Sequence, residues 1–319
     1  MTNSTSNSRT APRRSRPWRR SDVLNLGNCD IWITTLRVLC AVAWLLPAAA
    51  AADEAKRIVV AGGALTEILY DLGLADRIVG VDTTSLYPAE ATKKPNVGYV
   101  RQLSAEGVLS LQPDLVIAQE GAGPPDALKL IEQAGVRVER ITDQPTPEGV
   151  VERIIRVGAL TGEATKAEAL ARSTRERFAK LAEDRGSAGK PVRAMFVMSL
   201  QNGRPLVAGR GTGADGMIKL AGGENVADAF EGYKPMTEEA VVAAAPDVIV
   251  MMERQGQPLA PADVFKQPAL GATPAGESKR LVTMEGLYLL GFGPRAPEAA
   301  HDLMVAFYPK LAAPPSGAK

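Results

Sequence analysis

Two stretches of this chain echo one another at an offset of 133 residues. Residues 103–118 read LSAEGVLSLQPDLVIA, and residues 236–251 read MTEEAVVAAAPDVIVM. Aligned without gaps, each has a Ser or Thr suited to cap a helix, at Ser104 and Thr237. Each has a Glu two residues later, at Glu106 and Glu239, and a Pro-Asp pair leading into an apolar run. Any helix–Pro-Asp–strand unit shares the broad pattern, but the matched spacing points to duplicated architecture. The chain is thereby constrained to two related lobes.

The segments around the echo agree. Short β-rich runs at 57–61 (RIVVA), 77–81, 114–118 and 136–141 alternate with helical spacing at 64–72, 104–111 and 124–134. Five-residue strands alternating with helices predict a parallel sheet with helices on its faces. From 147 to about 185 no strand signal appears. Val151, Ile154, Ile155 and Gly158 share one face there, and Leu170, Phe178 and Leu181 continue it after a break near Thr161-Gly162. Strands then return at 193–198, 205–208, 247–251 and 280–283, with helices at 214–221, 238–244 and 296–310. The predicted fold is α/β: two Rossmann-like lobes with parallel sheets, residues 53–145 and 187–319, joined by a long rigid connecting helix over 146–186. Its cleft lies at the carboxyl ends of the strands.

Composition narrows the function. The 319 residues carry 37 basic and 36 acidic side chains, a net charge of +1. A dedicated nucleic-acid binder would show a basic excess. One His and two Cys leave almost nothing for a zinc site or an iron–sulfur cluster. Residues 1–52 hold seven Arg, no Lys, and both cysteines, Cys29 and Cys40. Arg13, Arg14, Arg16, Arg19 and Arg20 cluster ahead of the apolar run 38–52, VLCAVAWLLPAAAAA, which ends in small residues. A basic start, an apolar middle and an A-x-A end predict a cleavable signal peptide over 1–52, with cleavage after Ala50 or Ala52 and a periplasmic destination. The run is short for a span of roughly 20 residues and contains Pro47. Neither cysteine follows an uninterrupted apolar run of the lipoprotein kind, so a soluble exported protein is expected.

An exported two-lobe α/β protein with a helical backbone resembles the substrate-binding proteins of bacterial ABC importers for vitamin B12, siderophores and haem, over essentially all of 56–311. Within that class, residues 96–111 (NVGYVRQLSAEGVLSL) and 281–297 (LVTMEGLYLLGFGPRAP) are similar to the haem-binding branch. The Gly-Tyr-x-Arg-x-Leu-Ser-x-Glu-Gly pattern carries most of the likeness. What the resemblance implies is a class III periplasmic binding protein, not an enzyme. It would be a monomer that captures haem b as cargo and delivers it to an ABC transporter permease dimer with its ATPase subunits. A siderophore or cobalamin binder of the same class is the alternative.

Haem iron takes His, Met, Cys or Tyr as axial ligands. His301, the sole His, sits beside Leu303, Met304 and Phe307 in the terminal helix and reads as a flanking surface residue. Tyr is then the natural candidate, because phenolate is a hard oxygen ligand suited to ferric iron. Tyr99 is the expected axial ligand. Gly98 before it lets the backbone approach a flat ligand. In an extended segment Tyr99 and Arg101 would point to the same side, and a guanidinium nearby favours an ionised phenol. The resemblance assigns the same roles to these two residues. Tyr233, placed near Glu239 as Tyr99 is near Glu106, should face the cleft from the second lobe. Arg254 is the best-placed partner for a propionate; Lys234 and Arg210 are weaker candidates. Tyr87, in Leu86-Tyr87-Pro88, is expected to be structural.

Glu106 and Glu239 near two helix starts suit ordinary capping. In the class, one Glu on each lobe pairs with arginines of the permease, so the resemblance implies docking. Gly211–Gly216 fits G-x-G-x-x-G, but the strand that should follow with its acid is missing, and an exported NAD-dependent enzyme is disfavoured. The chain has no G-x-x-x-x-G-K-[ST] and no Gly-x-Ser-x-Gly.

Overall fold

The computed structural model describes residues 55–201, 204–253 and 260–312. The expected signal peptide and Arg254 lie outside them. In chain order the elements are β1 (Ile58–Ala61), α1 (Gly63–Asp71), β2 (Ile78–Val81), β3 (Gly98–Tyr99), β4 (Gln102–Leu103), α2 (Ala105–Ser110), β5 (Leu115–Gln119), α3 (Pro125–Gln133) and β6 (Arg137–Ile141). There follow α4 (Pro147–Thr161), α5 (Ala164–Gly186), β7 (Arg193–Gln201), β8 (Arg204–Ala208), α6 (Gly213–Leu220), β9 (Glu224–Asn225), β10 (Tyr233–Pro235), α7 (Glu238–Ala244) and β11 (Val248–Glu253). Three one-turn helices lead to β12 (Leu281–Glu285), α8 (Gly286–Leu290) and α9 (Ala296–Phe307).

The first sheet runs β2-β1-β5-β6 and is wholly parallel. Its central strand β1 is buried on both faces, as a strand covered by helices must be. The second sheet runs β10-β8-β7-β11-β12, with β9 beside the start of β7. Here the expectation of purely parallel sheets needs refining. β7 and β8 are antiparallel, and so are β8 and β10. Too few residues separate β7 from β8 for a helical crossover, so they form a hairpin.

The connection is two helices, not one continuous rod. Thr146 caps α4 through its hydroxyl, Pro147 opens it, and Gly162 ends it at φ +79°. The turn folds α5 back against α4. A Cβ on Gly158 would lie 2.1 Å from that of Ala167, so glycine permits the close approach. α5, at 23 residues, is about 34 Å long.

The echo extends to hydrogen bonds. Asp114 accepts from the amides of Lys56 and Arg57, and Asp247 accepts from the amide of Arg193. The Arg57 side chain returns to the carbonyls of Leu111 and Gln112, and that of Arg193 to Ala244 and Ala245. Gln112 and Ala245, each just before the Pro-Asp pair, both take left-handed backbone, at φ 49° and 44°. One apolar core runs through both lobes, joining Leu65, Ile68 and Leu69 of α1 to Phe196, Leu289 and Phe292.

Candidate functional site

The cleft begins where β2 ends. Asp82, fully buried, accepts from the amides of Gly62 (2.9 Å) and Thr84 (2.9 Å) and from the hydroxyls of Thr84 (2.6 Å) and Ser85 (2.8 Å). It thereby ties the loop after β2 to the start of α1. The next amide, Thr83, donates to the Gly98 carbonyl. That bond carries the anchoring on to the β3–β4 hairpin.

Gly98 sits at φ +104°, and a Cβ there would lie 2.8 Å from the Gln102 carbonyl oxygen. No other residue fits without opening the hairpin. The amide of Gly98 is held by the Asn96 side chain. Val100 is buried, and its carbonyl accepts from Gly123, whose own carbonyl accepts from Leu103. Tyr99, between these two anchors, stays 45% exposed. The extended geometry expected for Tyr99 and Arg101 is corrected here. Val100 and Arg101 form the turn of the hairpin, so the two-residue repeat of a strand does not relate the phenol to the guanidinium. Gly98→Ala is expected to lower ligand affinity by about tenfold or more through misplacing Tyr99. Titration beside a thermal melt checks this; unchanged affinity would contradict it.

The Arg101 charge bears on the Tyr233 phenol of the other lobe. Burial pushes the Tyr233 hydroxyl above its usual range, opposed by the neighbouring Thr212 hydroxyl and by the Arg101 charge. Tyr233 is therefore a neutral phenol at pH 7. Thr212 caps α6, accepting from the Asp215 amide and donating to the Gly209 carbonyl. The structure thus brings together Arg101 from the first lobe with Tyr233 and Thr212 from the second.

The glycine-rich stretch has a different use from phosphate binding. The Gly211 amide is taken by the Asp215 carboxylate, which also binds Lys219 and Asn225. An anion there would meet a carboxylate. Gly216 lets Pro145 approach, because a Cβ would lie 2.5 Å from the Pro145 carbonyl oxygen. Sequence reasoning did not single out Thr212 or Asp82, since only tertiary contacts give them importance.

Glu106 and Glu239 are exposed, each the second residue of its helix. Ser104 and Thr237 cap those helices through bonds from Gly107 and Ala240. The Glu239 carboxyl is held below its usual range, first by its own backbone amide, then by the Thr237 hydroxyl and the Arg204 charge. Arg210 is bound to the Asp228 carbonyl and lies 3.8 Å from Glu231, and Lys234 lies over the Phe230 ring. His301 is half-exposed beside Asp302 on α9, in a groove with Arg177, Lys180 and Glu298. Tyr87 packs its ring on the Arg295 guanidinium, 3.5 Å away.

Two α/β lobes bridged by helices, with Arg101 of one lobe bearing on Tyr233 of the other, have the build of a two-lobed binding protein. The chain belongs to the periplasmic binding protein family, whose model matches residues 58–286. Its fold is that of the class III members, two α/β lobes about a helical backbone. The structure is similar to the periplasmic heme-binding protein BhuT in complex with two hemes, at 39% identity and a TM-score of 0.76, covering 80% of this chain and 99% of that one. A periplasmic heme-binding protein from Pseudomonas aeruginosa is 39% identical with a TM-score of 0.75, covering 80% and 93%. An uncharacterized ABC transporter substrate-binding lipoprotein, YvrC of Bacillus subtilis (strain 168), is 29% identical over 259 residues, 80% of this chain and 81% of that one. These relatives are binding proteins and not enzymes.

Proposed function

We propose that this protein captures haem b in the interlobe cleft and delivers it to an ABC transporter permease dimer driven by ATPase subunits. It would act as a monomer in the periplasm, after removal of residues 1–52. Residues 53–145 and 187–319 would form the lobes, and 146–186 the helical bridge. The observation that carries the reading is Tyr99, held half-exposed on a glycine-fixed hairpin at the cleft.

Ferric iron is a hard cation, and a phenolate oxygen suits it. Ionising an ordinary phenol at pH 7 costs about 4 kcal/mol, which bonding to the iron offsets. Tyr99 is the proposed axial ligand. Arg101, at the hairpin turn, would neutralise ligand charge and hold Tyr233, which stays protonated and closes the cleft from the second lobe. Arg254 is proposed for a propionate. The similarity to heme-binding structures over 80% of this chain supports the cargo.

Glu106 and Glu239 are proposed to dock the two lobes on the permease. Their equivalent, exposed placement suits a pseudo-symmetric partner surface. Exposed acids of this kind contribute orientation and on-rate more than affinity. Glu106→Ala with Glu239→Ala is expected to reduce haem uptake by about tenfold or more, with haemin affinity unchanged. Loss of haemin affinity in the double variant would reject the assignment.

The test of the whole reading is a titration with haemin. A saturable Soret band is expected. Saturable binding of cobalamin or a ferric siderophore, with no response to haemin, would overturn it.

A further inference from the structure

Residues 291–295 (GFGPR), read above only as part of a family likeness, lie where the lobes meet. From α4, the fully buried Arg153 donates to the carbonyls of Gly291 (3.2 Å) and Phe292 (2.9 Å), and its other nitrogen binds Asp143. The segment is thus fixed to the bridge. From its end, Arg295 reaches α1 of the first lobe. Its amide donates to Glu67 Oε1 (3.1 Å) and its Nη2 to Glu67 Oε2 (2.9 Å). Glu67 is 2% exposed, although it is a carboxylate. Gly293 has no side chain to hold the lobes apart; a Cβ there would lie 3.3 Å from the Glu67 carboxyl.

The guanidinium also lies near two aromatic rings. The Tyr87 ring centroid lies 3.5 Å from it on the first-lobe side and that of Tyr288 5.2 Å on the second-lobe side. The Tyr288 hydroxyl is fixed by donating to Asp302. Beside this, Leu287 of α8 packs on Gly63 at the start of α1. The apolar contacts between lobes are non-directional and tolerate sliding. The Arg295 Nη2 bond to the buried Glu67 carboxylate, reinforced by the Arg295 backbone amide on the same carboxylate, is directional and does not.

We propose that Arg295 and Glu67 are a positioning pair that sets the spacing and angle of the two lobes, and hence the width of the cleft between Tyr99 and Tyr233. The pair touches no ligand; it acts through the lobes. The inference does not rest on haem being the cargo, because the lobe spacing is read in the ligand-free protein.

The test measures lobe-to-lobe distance by pulsed electron paramagnetic resonance. Spin labels are placed at Ser110→Cys on α2 and Val242→Cys on α7, in the full chain carrying Cys29→Ser and Cys40→Ser. The parent is expected to give one narrow distance peak. Arg295→Gln should lose that single peak to a broad or displaced one. Arg295→Lys, which keeps the charge but not the planar guanidinium that lies against Tyr87 and Tyr288, should fall between the two and guards against a misfolded variant. Ile131→Ala, in the core of the first lobe alone, controls for stability; it should lower the melting temperature and leave the peak unmoved. A folded Arg295→Gln or Arg295→Lys protein with the parent's peak would overturn the proposal. So would a shift in Ile131→Ala as large as that in Arg295→Gln.

Discussion

Tyr99→Phe is expected to lower haemin affinity at least about a hundred-fold, equivalent to about 2.7 kcal/mol. The substitution removes one oxygen and keeps the ring, so the hairpin and its packing are preserved. What would be lost is the proposed bond to iron. The half-exposed position means the change leaves no buried polar group unpaired, and the melting temperature of the free protein should not move. Tyr233→Phe is the informative contrast. That phenol is neutral at pH 7 and is not the proposed iron ligand, so its loss should cost only a few-fold. Competition with apomyoglobin reads both affinities. A larger loss for Tyr233→Phe than for Tyr99→Phe would move the iron ligand to the second lobe, and a threefold or smaller loss for Tyr99→Phe would remove it from the iron altogether.

Asp82→Ala is expected to destabilise the fold by about 4 kcal/mol, on the order of 10 °C in melting temperature. Four donors converge on this carboxylate, from Gly62, Thr84 and Ser85. The side chain is buried, so water cannot replace it without rearrangement of the loop. Function should fail with stability. The loop is bonded through Thr83 to Gly98, so its release frees the hairpin that presents Tyr99. Asp82→Asn keeps one acceptor and should recover part of both. Urea unfolding, with haemin titration of the protein that remains folded, checks the pair. Destabilisation under about 1 kcal/mol would show that the donors find other partners.

Much of the scaffold was legible because parallel strands covered on both faces must be apolar along their length. Ile58–Ala61 and Leu115–Gln119 are such strands. The break at Gly162 was legible for a similar reason, since a glycine at a left-handed position ends a helix. The echo was more informative than its letters suggested. It predicted equivalent helix caps, and the structure adds matched aspartate clamps and matched left-handed residues.

Other features depend on contacts that no local pattern records. The strands β3 and β4 have two residues each, too few for periodicity, and are held by bonds to Thr83 and Gly123. Two of the carbonyls that Arg153 reaches lie 138 and 139 residues away. Glu67 and Arg295 are separated by 228 residues. A buried charge takes its meaning from its partner, and distance along the chain hides the partner. How Tyr99 and Arg101 are related was not legible, because Val100 and Arg101 form a turn and not a strand.

The most direct test of the account is resonance Raman spectroscopy of the haemin-loaded protein, prepared with ordinary and with ring-deuterated tyrosine. With Tyr99 on the iron, iron–phenolate bands are expected that shift on deuteration and disappear in Tyr99→Phe. A haemin complex whose spectrum shows no tyrosine-derived bands, or whose bands persist in Tyr99→Phe, would contradict it.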